Sequence, residues 1–179
     1  MRYVIRERFF RLGEDSDITD DQGRPVYHVD GQVLTLHNTL IVRDMAGNEV
    51  AKVERQLIAL RPTYHISRPG AAPATVRKHL ISPFVDRFTI DLPGPHDLSV
   101  TGSLLEHEYT IARDGQTVAV VSKRWLSLTE TYGVDVAAGE DDVLILAATL
   151  ALDLAQDRER EEREERRERE DRQERRQDE

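Results

Sequence analysis

The sequence predicts a mainly β domain of about a dozen short strands, forming a closed barrel or sandwich filled by one buried C-terminal helix. Three observations lead there. Short alternating segments rich in β-branched and aromatic residues, separated by turn signals, fill residues 1–136. A dense apolar run follows, Val143 through Leu152 with Leu154 and Ala155 after it. The chain then becomes a Glu/Arg tract without an apolar stripe.

The first strand is carried by Tyr3 and Ile5, which alternate with Arg2, Arg6 and Arg8. Asp15 to Asp21 read as a turn-rich hairpin, and Asp20-Asp21-Gln22-Gly23 as its turn. Strands are expected next at Pro25–Val29, Val33–Leu36, Thr39–Arg43 and Glu49–Gln56. Asp30-Gly31 and Met45-Ala46-Gly47-Asn48 are the turns, because Gly accepts a positive φ without steric cost. The pattern resumes at Thr63–Ser67, Thr75–Ile81, Arg87–Asp91, Leu98–Gly102, Tyr109–Arg113, Thr117–Lys123 and Thr131–Val136. Asp114-Gly115 is a further hairpin turn and Pro93-Gly94-Pro95 an irregular loop. Arg68–Pro73 is the most linker-like stretch, but it is too short to divide two domains.

Asp141 and Asp142 stand where a helix N-terminus favours negative charge, and the Ala and Leu that follow propagate a helix well. Apolar residues face every side of it, so it cannot lie on a surface. A membrane span needs roughly 18–20 apolar residues, and this run is shorter; no transmembrane segment is expected. The remaining solution threads the helix through the middle of the strands, with Leu146 and Leu150 at its centre. Residues 1–156 then form one domain. Residues 157–179 form a charged tail, helical or disordered, in which Glu159/Arg163, Glu162/Arg166, Glu165/Arg169, Glu168/Arg172 and Asp171/Arg175 are acid-first pairs at i,i+4.

Composition narrows the function classes. The net charge is −9, and the tail holds 12 acidic and 9 basic residues, which leaves 22 and 16 and a net −6 for residues 1–156. An acidic domain disfavours binding to nucleic acid through bulk charge. With no cysteine there is neither a disulfide framework nor a thiolate metal site. The N-terminus lacks an apolar leader, and a cytoplasmic location is expected.

No catalytic motif appears. G-x-S-x-G, G-x-G-x-x-G and G-x-x-x-x-G-K-[ST] are absent. The six histidines show no paired metal-ligand spacing. His107 lies between Glu106 and Glu108, but strand alternation would point it away from both. The Asp15–Asp21 segment lacks the Gly and bidentate Glu of a calcium loop. The chain is therefore read as a non-enzyme, with neither cofactor nor metal. Among basic residues, Arg77, Lys78 and Arg87 are the candidate contacts for an anionic headgroup, although alternation splits Arg77 from Lys78. An ordinary solvated strand face is the competing reading of all three.

Three stretches carry a family resemblance: RYVIRERFFRLGEDSDITDDQGRPVYHVDG, LIVRDMAGNEVAKVERQLIALRPTYHI, and SKRWLSLTETYGVDV before the apolar helix. In this order they resemble the LURP-one-related family of the tubby C-terminal-like group, which also contains phospholipid scramblases. The resemblance covers residues 1–155. It implies a twelve-stranded antiparallel β-barrel around a central hydrophobic helix. It also implies structural roles for Trp125, Tyr132 and Gly133, as aromatic anchors and as a glycine where a strand bends or nears another backbone. For function it suggests a non-catalytic binding or scaffold module whose partner, protein or lipid, stays unspecified. The alternative is a peripheral protein that binds phosphoinositides or other anionic phospholipids; an unrecognised hydrolase is a distant third.

Overall fold

The computed structural model describes residues 1–6, 15–30, 39–56, 61–79, 86–124 and 131–177. Twelve strands run antiparallel to their neighbours: β1 (Arg2–Arg6), β2 (Ser16–Asp20), β3 (Pro25–Asp30), β4 (Thr39–Asp44), β5 (Glu49–Arg55), β6 (Thr63–Ser67), β7 (Ala74–Lys78), β8 (Asp86–Asp91), β9 (Leu98–Ser103), β10 (Glu108–Arg113), β11 (Gln116–Ser122) and β12 (Thr131–Val136). Each pairs with the next in sequence, and β12 returns to β1, from Arg2 opposite Asp135 to Arg6 opposite Thr131. The meander therefore closes and leaves no edge strand exposed. One helix, α1 (Asp142–Gln177), completes the described fold.

Alternation sets the inside of the barrel. Ile5, Ile66, Val76, Ile90, Val100, Ile111 and Val134 are essentially inaccessible, and their odd or even neighbours face solvent. Leu144 to Ala155 are buried on every side of α1 and belong to the same core cluster as the inward strand residues. A helix covered all round within a closed sheet occupies its lumen. Leu146 (1% exposed) and Leu150 (0%) are its centre. The fold is the mainly β barrel around a central helix that the sequence leads one to expect.

Two hairpins share one chemical device. The Asp20 carboxylate accepts from the Gln22 and Arg24 backbone N–H groups at 2.9 Å, and the Asp44 carboxylate accepts from those of Ala46 and Asn48 at 2.9 Å. Gly23 and Gly47 follow with φ of 77° and 87°, where a side chain would be strained. The donors hold both carboxyls below the ordinary aspartate range: the Arg24 amide leads at Asp20, and the Asn48 side chain leads at Asp44.

The sequence expectation fails at the first of these hairpins. Ser16–Asp20 is strand β2 rather than part of a turn-rich segment, and Ile18 is 1% exposed in the core. A single inward Ile suffices because its neighbours pair with β1 and β3. The expected strand Val33–Leu36, the Gly31 turn position and Trp125 lie outside the described residues.

At the start of α1, Asp141 accepts from the Leu144 N–H at 3.0 Å as an N-cap, and Arg68 binds its other oxygen. The Arg113 guanidinium donates to both carboxylate oxygens of Glu140 at 2.8–2.9 Å. Charge therefore fastens the helix at the rim where it enters. From Arg158 on the helix is mostly solvent-exposed and extends about 30 Å further. Glu159–Arg163 (3.9 Å), Glu165–Arg169 (3.4 Å) and Glu168–Arg172 (3.0 Å) pair along it. The Asp171/Arg175 pair lies outside the described side chains.

Candidate functional site

The three basic residues singled out in the sequence sit on adjacent strands but not on one face. In β7 paired with β8, Arg77 lies opposite Thr89 and Lys78 opposite Phe88. Arg77 and Arg87 face solvent on the outside of the barrel, together with Thr89. Arg77 binds Asp91 at 2.7 Å, which halves the positive character of the patch. Lys78 turns inward at the rim. Its ammonium sits 5.6 Å from the centre of the Phe88 ring and forms an ion pair with Glu159 of α1. The outer face thus presents Arg77 and Arg87, with His79 beside them bonded to Thr89, and Lys78 is committed to the helix.

A second polar constellation lies inside. Thr149, Asp153 and Gln156 are spaced i, i+4, i+7, so they form one stripe on a helix that is otherwise apolar through the barrel. The Asp153 side chain is 8% exposed and accepts a hydrogen bond from the Tyr132 hydroxyl. His107 Nε2 lies 3.4 Å from its other oxygen. The His107 ring stacks on Tyr132 with centroids 4.3 Å apart. Tyr109 is fully enclosed beside Asp153 and Thr149; burial, with the Asp153 charge second, holds its phenol well above the ordinary value, so it stays protonated. Thr149 gives its own hydrogen to the Ile145 carbonyl at 2.9 Å. His107 Nδ1, the Tyr109 hydroxyl, Asp153 Oδ1 and the Gln156 amide nitrogen have no hydrogen-bond partner.

His107 reaches this seam from a turn, not from a strand. Leu104–His107 link β9 to β10, the His107 N–H donates to the Leu104 carbonyl at 3.0 Å, and His107 has φ of 49°. A non-glycine residue is uncommon in the left-handed region. The ring points inward, Glu106 is exposed, and Glu108 instead accepts from the Ser122 hydroxyl (2.8 Å) and the Lys123 N–H (3.1 Å). Among the described residues no group of His, Asp and Glu could hold a metal.

Tyr132 is 0% exposed, and its hydroxyl donates to Asp153. Gly133 is a buried member of β12 between Val4 and Ser122. At Gly102 a Cβ would lie 2.4 Å from the Glu108 carbonyl oxygen at φ of 139°.

A closed antiparallel barrel wrapped on its own C-terminal helix defines a structural class whose lumen is protein-filled. The comparisons give that class a family. The LURP-one-related family model matches residues 1–153, and the chain belongs to that family. It is 26% identical over 159 residues to the "Uncharacterized protein YxjI" of Bacillus subtilis (strain 168), which covers 88% of this chain and 95% of that protein. An X-ray structure of an Arabidopsis thaliana protein superposes with a TM-score of 0.59 at 17% identity, over 84% of this chain and 87% of that one. That likeness shows the shared fold.

Proposed function

We propose that this chain is a non-catalytic cytoplasmic binding module whose recognition surface is the outside and the rims of the barrel. The observation behind this reading is the occupied lumen: α1 fills with Leu, Ile and Ala side chains the space where an open barrel of similar design would receive a ligand. The Asp153–His107 pair is nearly enclosed, at 6% and 7% exposed, and Tyr109 is held as a neutral phenol beside it. No helix among the described residues is long and apolar enough to cross a membrane, in keeping with a module that meets its partner from the aqueous side.

A second reading rests on Arg77 and Arg87, which share the outer β7–β8 face: a peripheral protein that binds anionic phospholipid headgroups. Lys78 contributes to it only if it leaves Glu159. Co-sedimentation of the full chain with phosphoinositide vesicles separates the two readings. The binding-module reading expects no salt-sensitive pelleting. The headgroup reading expects pelleting that falls with salt, because phosphate–Arg attraction is screened, and that is lost in Arg77→Glu/Arg87→Glu. Turnover of a panel of ester and phosphoester substrates by the pure protein, abolished by His107→Ala, would overturn the non-catalytic assignment.

A further inference from the structure

We infer that the seam between Thr149, Asp153 and Gln156 on α1 and Tyr109, His107 and Tyr132 on the wall is a rotational pin, which fixes the azimuth of the helix inside the barrel. The need for a pin follows from the apolar side chains. At about 100° per residue, Leu144, Leu146, Leu150, Leu152 and Leu154 point in directions spread round the axis. The wall they meet is equally uniform, since each strand contributes aliphatic or aromatic residues to one continuous core. Hydrophobic burial is non-directional, so an apolar rod in an apolar tube is weakly specified in rotation.

Depth is settled separately. Asp141, Asp142 and Glu140 hold the entry rim and the charges from Asp157 onward hold the exit, so sliding by a turn would bury one of these sets unpaired. Rotation keeps both charged ends at their depth and would displace the rim pairs Arg68–Asp141 and Lys78–Glu159, which are partly exposed and so weakly specifying. The polar stripe is the enclosed contact that distinguishes one azimuth from another. Thr149, Asp153 and Gln156 fall within about 60° of one another on the helix, and Asp153 in its present azimuth meets a hydroxyl donor and a ring nitrogen. Turned away, its carboxylate would face the aliphatic wall, at a cost of several kcal/mol for a buried unpaired charge. The left-handed backbone of His107 is a further sign that the wall is shaped to deliver this ring.

The pin has a consequence at the rim. Fixing the azimuth fixes the side on which Glu159 leaves the barrel, and thus its encounter with Lys78. The exposed extension then emerges with one orientation.

The chain has no cysteine, so two nitroxide labels can be placed cleanly at Thr101→Cys on the outer wall of β9 and Glu164→Cys on the extension. Both positions are exposed. Pulsed dipolar spectroscopy on this labelled full chain should give one narrow distance. Adding Asp153→Leu should broaden or split it by on the order of 5–10 Å, the displacement set by the helix radius, while the melting temperature falls because the buried Tyr132 hydroxyl and His107 ring lose their acceptor. Adding Lys78→Met should leave one narrow distance, because the rim pair follows the azimuth and does not set it. Should Asp153→Leu fail to fold, Tyr132→Phe, which removes the donor and keeps the stacked ring, should broaden the distance in its place. A single unshifted narrow distance in whichever of these variants folds would overturn the pin.

Discussion

One unbroken helix passes through two environments, and they reverse what its side chains contribute. Between Leu144 and Ala155 it is buried on every side and its stability derives from packing in the core that the strands line. Beyond Glu159 it is solvated and carries its own i,i+4 Glu–Arg pairs, each worth about 0.2–0.5 kcal/mol. Helical backbone geometry is common to both halves. The difference is that the first half is specified by the barrel and the second by local sequence. Glu159 and Lys78 mark the boundary, where an acid of the helix is paired to the barrel wall.

The largest effect expected from this contrast is Leu150→Arg. An unpaired guanidinium at a position 0% exposed costs several kcal/mol, comparable to the whole stability of a small domain. Circular dichroism should show no cooperative melt. Arg at Glu164 should change the melting temperature by less than about 2 °C, since exposed substitutions stay within about 0.5 kcal/mol.

Next in size is Gly102→Ala. The added Cβ would meet backbone at 2.4 Å from a φ of 139°, and the strain should destabilise the barrel by about 1–3 kcal/mol, read as a lower urea midpoint. Acid should act on the barrel through its Asp-built turns. The Asp20 and Asp44 carboxyls are depressed in the folded state, so their contribution is full above the ordinary aspartate pKa and is lost as pH falls through that value toward the depressed one. Asp20→Asn/Asp44→Asn should flatten the fall in melting temperature over that window. The smallest effect comes from shortening the chain. A stop after Arg163 keeps Glu159 and should leave the melting temperature unchanged within error; a stop after Gln156 removes the Lys78 partner and should lower it slightly.

Much of this was legible in the sequence, for identifiable reasons. Eleven of the strands carry two or more inward apolar residues in alternation, and Gly23, Gly47 and Gly115 mark tight turns between them. Strand β2 was not legible, because Ser16-Asp17-Ile18-Thr19-Asp20 offers one apolar residue among turn formers; its strand character comes from its neighbours. The seam was written in the sequence as Thr149, Asp153 and Gln156 at i, i+4, i+7, a signal that an apolar count reads as an interruption. Its wall partners could not be found the same way, since Tyr132 lies 21 residues from Asp153 in sequence and meets it only through closure of the barrel. For the basic trio, alternation correctly separates Arg77 from Lys78. The capture of Lys78 by Glu159, 81 residues away, depends on where the helix exits and has no local sign.

The contrast between the two halves of α1 is tested most directly by native-state hydrogen exchange of the full chain. Amides from Ile145 to Ala155 should exchange only through global unfolding, with protection equal to the most protected strand amides, while those from Glu161 to Arg172 should exchange orders of magnitude faster through local fraying. Equal, weak protection along the whole helix would contradict a helix enclosed by the barrel.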